Sequence, residues 1–273
     1  MGINGGAKLW APLKTKGVHV KDVKEQIKDK IAGGIDGKAI ACVDAGVLMH
    51  KGKLCGNGGT GIVRDGDFGG VAGYVTRQVK KIEKQGVEVI LVFDGARIES
   101  KCDVEKKRQR NRNEAKAKGD EAYNSSSIHA AEQLYRKAVD VSPEMARAVM
   151  DKCGREGIRF LVAPYEADAQ LGDLCRRGVA HFCISVDSDL PLFGCQFVLS
   201  MMGKSDDMEG DLTDLSRLEE EGSEYSGFDE DMLLNAAILS GCDYQKNIGG
   251  LGVVTAVKLV RKHRGTEGLL SFL

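Results

Sequence analysis

Seven acidic side chains lie where the sequence predicts the end of a buried strand or helix. Three follow short apolar runs, one lies two residues after the third of these, two form an acid-x-acid pair after a fourth run, and one ends a helical pattern. They are Asp44, Asp94, Glu166, Asp168, Asp187, Asp189 and Asp243. Ligands of open α/β sheets bind at the carboxyl ends of the strands, so we expect these carboxylates to meet at one sheet edge. In an extended chain, Asp187 and Asp189 would point the same way.

This acidic set predicts a metal site. Like charges cannot gather without compensation, and an oxygen-rich set of donors suits Mg²⁺ or Mn²⁺. Two such ions about 3.5–4 Å apart stabilise the attacking and leaving oxygens of a phosphodiester displacement. The alternative is structural, since an Asp after a strand often caps the next helix and Glu166 suits a first helical turn. A haloacid-dehalogenase phosphatase fits poorly, because Gly46 stands where its second Asp belongs.

The elements that would carry these acids alternate along the chain. Continuous apolar runs bounded by Gly or Pro predict buried, mostly parallel strands, and helical patterns lie between them. The predicted strands are 39–44, 87–93, 158–162 and 181–186, and the predicted helices are 71–85, 143–156, 166–177 and 229–240. This alternation predicts the α/β class.

A basic segment follows Asp94. Residues 97–118 hold nine basic and four acidic side chains, a net charge of +5. In a helix, Lys101, Arg108 and Arg112 share one face, which could hold phosphates beside the carboxylates. A solvated face or a nuclear-import patch is the other interpretation of such a run.

A second candidate phosphate site lies near the end of the chain. Residues 233–242 and 253–263 predict two helices joined by a glycine-rich turn. Such a turn presents backbone N–H groups and a helix N-terminus to a phosphate. Lys258 and its basic neighbours Arg261, Lys262 and Arg264 add positive charge.

Two further segments interrupt the core. The glycine-rich stretch 52–70 predicts a loop, and the acidic stretch 203–227 predicts a surface excursion. Residues 205–231 hold twelve acids and one base. Their net charge of −11 leaves +10 on the rest of a chain whose total is −1. We therefore expect segregated charge, with the acidic stretch held away from an anionic partner.

Composition excludes several classes of protein. No apolar run reaches the roughly 18 residues of a membrane span, and the first residues lack the apolar core of a signal peptide. A myristoylation signal fails at Gly6. The eight cysteines show no C-x-x-C spacing, which disfavours a zinc ribbon and indicates a reducing compartment.

A series of motifs extends from residue 1 to about 264, in the order in which a known protein family carries them. They are MGING, VDAGVLMHKG, ILVFDG, SKCDVEKKRQRNR, LVAPYEADAQL, DSDLPLFGC and ILSGCDY followed by IGGLG. The chain thereby resembles the flap endonuclease/XPG family of structure-specific 5′ nucleases, and most of all the exonuclease 1 branch. The resemblance implies a PIN-like core, a helical arch and a helix-two-turn-helix element. It also implies metal-dependent hydrolysis of DNA at 5′-recessed ends, nicks and 5′ flaps.

The resemblance also implies roles for single residues. The seven acids match the family's metal ligands for two Mg²⁺ ions, with Mn²⁺ as a substitute, and Asp187 counts among the catalytic residues. Lys101 and Arg108 match the arch residues that reach the scissile phosphate. Gly2 and His50 match DNA contacts near the site, as Arg112, Gly250, Gly252 and Lys258 do elsewhere. The glycine turn 249–252 matches a site for K⁺ and a duplex phosphate.

The resemblance divides a single 5′ nuclease domain, residues 1–273, into regions. They are the N-terminal nuclease region 1–96, the arch 97–141, the internal nuclease region 142–202, the acidic insertion 203–227 and the helix-two-turn-helix element 228–265. Nuclear localisation and no membrane partner are expected. The family's C-terminal tail is expected to be absent, so the sequence defines no protein partner.

Three residues depart from the pattern of the family. Gly46 stands where exonuclease 1 relatives carry Tyr, Val186 replaces a Glu, and Thr255 replaces a Lys. Gly46 and Thr255 keep a catalytically silent DNA-binding module as an alternative to the DNA nuclease. RNA cleavage is a further alternative, because PIN-like cores serve that reaction too. The balance between exonuclease and flap endonuclease activity also stays open.

Overall fold

The computed structural model describes most of the chain. The described residues are 3–53, 58–96, 102–201, 208–220, 225–242, 244 and 248–263, and the side chains of 102–105 and 219 lie outside this description. Gly2, Lys101 and Asp243 therefore lie outside the described residues. No helix in the described ranges combines the length and the apolar character that crossing a membrane requires.

The described elements comprise helices, strands and short 3-10 turns. The strands are β1 (Lys14–His19), β2 (Ile40–Asp44), β3 (Glu88–Phe93), β4 (Phe160–Val162), β5 (Phe182–Ile184), β6 (Phe197–Ser200) and β7 (Glu209–Asp214). The helices are α1 (Gly6–Leu9), α2 (Val20–Ile27), α3 (Ala45–Gly52), α4 (Gly58–Asp65), α5 (Gly69–Lys84), α6 (Cys102–Asn124), α7 (Ile128–Ala138), α8 (Pro143–Arg155), α9 (Ala167–Arg176), α10 (Glu230–Ser240) and α11 (Val253–His263).

The chain divides into two compact units. One unit combines Met1–Cys42 with Asp168–Leu273, and the other is Val43–Ala167. We call them the terminal unit and the middle unit. The division falls within β2 and just after the first residue of α9, so the predicted acids are distributed over both units.

In the terminal unit, the strands follow the order β1-β7-β6-β5. β5 and β6 are parallel, whereas β7 runs antiparallel to both β6 and β1. The start of β2 lies beside β5, because the backbone N–H of His181 donates to the Ile40 carbonyl at 2.8 Å. β5, which leads into the turn that carries Asp187 and Asp189, therefore has a neighbouring strand on each side.

An apolar cluster in the terminal unit joins the N-terminal segment to α10 and α11. Trp10, Leu13, Leu233 and Val260 are all buried in it. The Tyr225 hydroxyl donates to the Leu9 carbonyl at 2.6 Å. Burial of this apolar area provides the main stabilisation that holds the two C-terminal helices in place.

In the middle unit, β3 and β4 are parallel and α5 packs against β3 and α8. The buried residues of α5 recur at helical spacing: Val71, Ala72, Val75, Val79 and Ile82. α6 packs against α7, and α4 packs against α7. The predicted α/β class is confirmed, with a mostly parallel central sheet flanked by helices.

Most predicted elements are confirmed with somewhat shorter bounds, but two predictions are wrong. Residues 58–65 of the glycine-rich stretch form α4 rather than a loop. Residues 209–214 of the acidic stretch form β7, in which Leu212, Thr213 and Asp214 are buried, rather than a surface excursion. The pattern missed β7 because its acids have distant partners: Lys30 forms an ion pair with Asp214.

Candidate active site

Asp44 ends β2 and begins α3. Its Oδ1 accepts a hydrogen bond from the backbone N–H of Val47 at 3.3 Å, which caps the helix. Gly46, two residues after Asp44, lies between the carboxylates of Asp44 and Asp94. A Cβ at Gly46 would lie 3.0 Å from Asp44 Oδ1 and 3.7 Å from Asp94 Oδ2. The first turn of α3 thus brings two of the predicted metal ligands together within the middle unit.

Asp94 follows β3 and is exposed. Its Oδ1 accepts a hydrogen bond from the backbone N–H of Ala167, the first residue of α9, at 2.8 Å. Two backbone bonds reinforce this link, from Gly95 N–H to the Tyr165 carbonyl at 2.6 Å and from Ala96 N–H to the Pro164 carbonyl at 3.0 Å. The half-buried Glu166 is therefore held in the same loop pair as Asp94.

This loop pair needs a glycine beside Asp94. A Cβ on Gly95 would lie 1.9 Å from the Ala163 carbonyl oxygen, a distance that no side chain tolerates. The two backbones can approach closely only where the residue has no side chain. Gly95 is thus part of what positions Asp94 and Glu166.

The terminal unit positions its acids through a tight turn after β5. The backbone N–H of Asp189 donates to Asp187 Oδ1 at 3.1 Å, and Asp189 is buried at 5% exposure. The strand ends at Ile184 and Asp189 has helical dihedral angles. The extended-chain argument for this pair is therefore wrong, because a side-chain-to-backbone turn replaces strand geometry here.

Ser188 anchors the turn between the two aspartates. Its Oγ accepts from the backbone N–H of Ile3 at 3.0 Å, and its carbonyl accepts from Trp10 Nε1 at 2.7 Å. Asp168, in the first turn of α9, is half-buried in the same unit. The sequence analysis did not identify Ser188 or Trp10 as residues that position the acids. The features that could have indicated them are the serine between the two aspartates of the D-x-D motif and the fact that Trp10 is the one tryptophan of the sequence.

The donor chemistry of these residues fits a hard divalent cation. In the middle unit, the carboxylates of Asp44 and Asp94 converge on the space beside Gly46. Throughout the described part of the chain, however, no three His, Cys, Asp or Glu side chains are grouped so as to hold a metal ion. The assignment of the seven acids as metal ligands accordingly stays a prediction.

The basic segment forms the long helix α6. Arg108 and Arg112 are both half-buried. That they share a face with Lys101 stays a prediction, because Lys101 lies outside the described residues. Arg112 Nη2 forms an ion pair with Asp140 Oδ2 at 3.0 Å. The sequence analysis did not identify Asp140. His50 is at the surface in the last turn of α3. Desolvation by neighbouring protein atoms, with the charge of Lys53, lowers the pKa of His50 and favours the neutral imidazole.

The two predicted helices are present as α10 and α11, and they pack against each other. Gly250 has a φ of +83°, and a Cβ at either Gly250 or Gly252 would meet nothing within 4 Å. Lys258 is exposed on α11, with Thr255 one turn earlier on the same exposed face. The glycine turn and the basic helix therefore present an open backbone and a positive charge to the surroundings.

Sequence comparison relates this chain to known nucleases. The XPG I-region family profile matches residues 157–243. Exonuclease 1 of Oryza sativa subsp. japonica is 36% identical over 244 residues, which is 88% of this chain and 28% of that protein. The chain thus spans less than a third of the length of this relative.

Structural comparison agrees on the fold. The catalytic core of Rad2 in complex with DNA substrate has a TM-score of 0.66 and 18% identity, over 98% of this chain and 70% of that one. A complex of the Holliday junction-resolving enzyme GEN1 with product DNA and Mg²⁺ has a TM-score of 0.59 and 18% identity, over 96% of this chain and 51% of that one.

Residues 157–243 match the XPG I-region, and the fold is similar to that of the Rad2 catalytic core. The sequence is similar to exonuclease 1 over most of this chain.

Proposed function

We propose that this chain is the catalytic region of a divalent-metal-dependent, structure-specific 5′ nuclease that acts on DNA in repair or replication. The observation that carries the proposal is the pair Asp44 and Asp94 beside Gly46, with Glu166 tied to the same loops. Strand-end carboxylates of this kind, in a chain similar to exonuclease 1, favour phosphodiester hydrolysis.

The proposal assigns the metal ligands to the seven acids of the sequence prediction. Two Mg²⁺ ions, or Mn²⁺ in their place, would supply charge neutralisation at the scissile phosphate and activation of water. The GEN1 structure named above holds Mg²⁺ with product DNA, which supports this choice of metal. A K⁺ ion at the glycine turn 249–252 belongs to the same proposal.

The chain's own residues would bind and orient the substrate. Lys101 and Arg108 are proposed to neutralise the scissile phosphate and, with Asp187, to form the catalytic set. Arg108 lies on the half-buried face of α6, where a guanidinium can present several donors to phosphate oxygens. The DNA contacts proposed from the sequence are Gly2, His50, Arg112, Gly250, Gly252 and Lys258.

The ion pair of Arg112 with Asp140 bears on one of these contacts. Arg112 is only 18% exposed and is held by Asp140 at 3.0 Å. A side chain held in this way serves better to orient α6 than to reach a distant phosphate. Within the proposal, Arg112 therefore contacts DNA only through the donors that Asp140 leaves available.

The proposed substrates are 5′-recessed ends, nicks and 5′ flaps, and the proposed site of action is the nucleus. The proposed activity is a 5′-to-3′ exonuclease with 5′-flap endonuclease activity. A flap endonuclease proper would favour the flap product instead. A catalytically silent DNA-binding module is the second candidate, since Gly46 and Thr255 replace a Tyr and a Lys expected from the family pattern.

The test is the length of products from 5′-labelled DNA incubated with the chain and Mg²⁺. We expect mononucleotides from a 5′-recessed duplex and an excised flap from a 5′-flap substrate. An RNA version of the same flap should be cut more slowly. The proposal is wrong if neither DNA is cut at any concentration of Mg²⁺ or Mn²⁺ while DNA binding persists, which is the behaviour of a silent module.

A further inference from the structure

Four cysteines converge in the interior of the terminal unit. Cys42 lies on β2, Cys175 on α9, Cys183 on β5, and Cys195 just after the short 3-10 turn Leu190–Phe193. The Sγ atoms of Cys42 and Cys175 are 3.6 Å apart. Each of the four thiols has two of the others as hydrogen-bonding neighbours, so they form a closed ring.

Close packing of α9 brings these elements together. A Cβ on Gly172 would lie 2.0 Å from the Phe193 carbonyl oxygen, so this glycine lets α9 approach the turn that leads to Cys195. Cys42 Sγ also lies 3.8 Å from the Leu171 carbonyl, one helical turn before Cys175. The six described cysteines, the four in the ring among them, are all free thiols.

The four thiols differ in access to solvent. Cys42, Cys183 and Cys195 are 0% exposed, whereas Cys175 is partly exposed. Hydrogen bonds from Cys195 and Cys42 favour the thiolate and lower the pKa of Cys175. A partly exposed thiol with thiolate character beside a second thiol is the arrangement found in oxidation-sensitive sites.

We propose that Cys175 and Cys42 form a peroxide-reactive dithiol, in which Cys175 is the attacking thiol and Cys42 the resolving thiol. The Cys175 sulfur attacks one peroxide oxygen and the O–O bond breaks. This leaves Cys175 as a sulfenic acid and releases hydroxide, which a proton converts to water. The Cys42 sulfur then attacks the sulfenic sulfur, an S–S bond forms and the S–O bond breaks. The Cys42 thiol proton leaves with the hydroxide as a second water, so two thiols lose two electrons to one peroxide.

The same elements carry predicted metal ligands. Asp168 lies in the first turn of α9, and Asp187 follows β5. A disulfide between β2 and α9 would displace the end of α9 relative to the strands, since the two sulfurs must move closer to bond. Oxidation should therefore lower DNA cleavage reversibly, a consequence that rests on the proposed function, whereas the dithiol itself does not.

The experiment treats the native chain with hydrogen peroxide, alkylates the remaining thiols, and maps peptides by mass. We expect the thiol count to fall from eight to six, with one cross-linked peptide joining Cys42 to Cys175. Dithiothreitol should restore all eight thiols. This peptide map is made on the wild-type chain, so the test does not depend on whether a variant folds.

Two alanine variants sharpen the assignment. Cys175→Ala should keep its seven thiols under the same peroxide dose. Cys153→Ala should still lose two, because Cys153 is buried in α8 and burial raises its pKa to about 11. A link from Cys175 to Cys195, a Cys175 oxidised without any link, or loss of thiols in Cys175→Ala would each overturn the proposal.

The cleavage assay is read separately on the cross-linked chain. Restored cleavage after dithiothreitol is expected. Unchanged cleavage by the cross-linked chain would overturn the consequence for activity while leaving the dithiol in place. A chain that never cleaves would instead contradict the proposed function, with the peptide map unaffected.

Discussion

The carboxylates predicted to bind metal also hold the backbone in place. Asp44 caps α3, Asp94 accepts from the first residue of α9, and Asp187 closes the turn that leads to Asp189. A carboxylate has two oxygens and about four acceptor positions, so accepting one backbone N–H leaves room for a cation. The structural and the metal-binding interpretations of these acids are therefore compatible, and the caps preorganise the proposed ligands.

At the same scale, Gly95→Ala tests whether the loop pair positions Asp94 and Glu166. The added Cβ would overlap the Ala163 carbonyl, so the two backbones must separate. We expect the free energy of unfolding in urea to fall by about 1–3 kcal/mol, and cleavage to fall with it. Gly154→Ala in α8 is the control. Its Cβ meets nothing within 4 Å, and stability should rise by up to about 1 kcal/mol. Equal stability of the two variants would contradict this role for Gly95.

At the scale of elements, α4 depends on a partner in α7. The Glu132 carboxylate accepts from Gly59 N–H at 2.8 Å, from Thr60 N–H at 2.9 Å and from the Thr60 hydroxyl at 2.7 Å. A Cβ on Gly59 would lie 2.3 Å from the Arg136 backbone nitrogen. The glycines of this stretch thus permit close helix packing. Local pattern could not reveal α4, because its cap lies more than seventy residues away.

Glu132 also gives a pH dependence. Desolvation opposes its charge, but hydrogen bonds from Arg136 and Thr60 outweigh this and lower the pKa of Glu132 to about 2. Since the folded-state pKa is depressed, the stabilisation is complete above the ordinary value of 4.5 and is lost as the pH falls through about 2. Glu132→Gln should lower the free energy of unfolding at pH 7 by about 1–2 kcal/mol and flatten its decline below pH 5. A decline as steep as in the exposed-acid control Glu83→Gln would contradict this role.

The exposed basic face of α11 leads to a prediction about how DNA affinity depends on salt concentration. If Lys258 contacts a phosphate, Lys258→Ala should weaken DNA binding and reduce the slope of log affinity against log salt by about one. Thr255→Lys, one turn away on the same exposed face, should increase that slope by a similar amount. Titrations at several salt concentrations measure both slopes. Lys16→Ala, on the exposed part of β1, should change neither, and an equal effect there would argue against a contact specific to this helix pair.

The predictability of the elements follows from where their stabilising contacts lie. β2, β3 and β5 were predictable because each is a continuous apolar run that is buried on both faces. β1 escaped prediction because its first four residues are polar or glycine and exposed or half-buried at an edge. β7 was not predicted because its acidic character suggested an exposed segment. In the structure, Asp214 is buried in an ion pair with Lys30 and accepts a hydrogen bond from the backbone N–H of Ser216.

At the scale of the whole molecule, the near-neutral charge is a sum of opposite parts. Residues 205–231 carry −11 and the rest of the chain +10. Part of the acidic stretch is built into the sheet as β7, so its acids do not all lie on a separate excursion. The net charge of −1 therefore gives no argument against an anionic partner, because association follows the local distribution of charge.

If strand-end carboxylates drive metal-dependent cleavage, Asp187→Asn should abolish cleavage. Asparagine keeps an oxygen that can accept the Asp189 N–H but removes the negative charge. On 5′-labelled flap DNA with Mg²⁺, we predict that the wild-type chain cuts and that Asp187→Asn binds the DNA without cutting it. Asp151→Asn, an exposed acid on α8, should cut like wild type. Wild-type rates from a folded Asp187→Asn chain would show that the Asp187 carboxylate is not needed for cleavage.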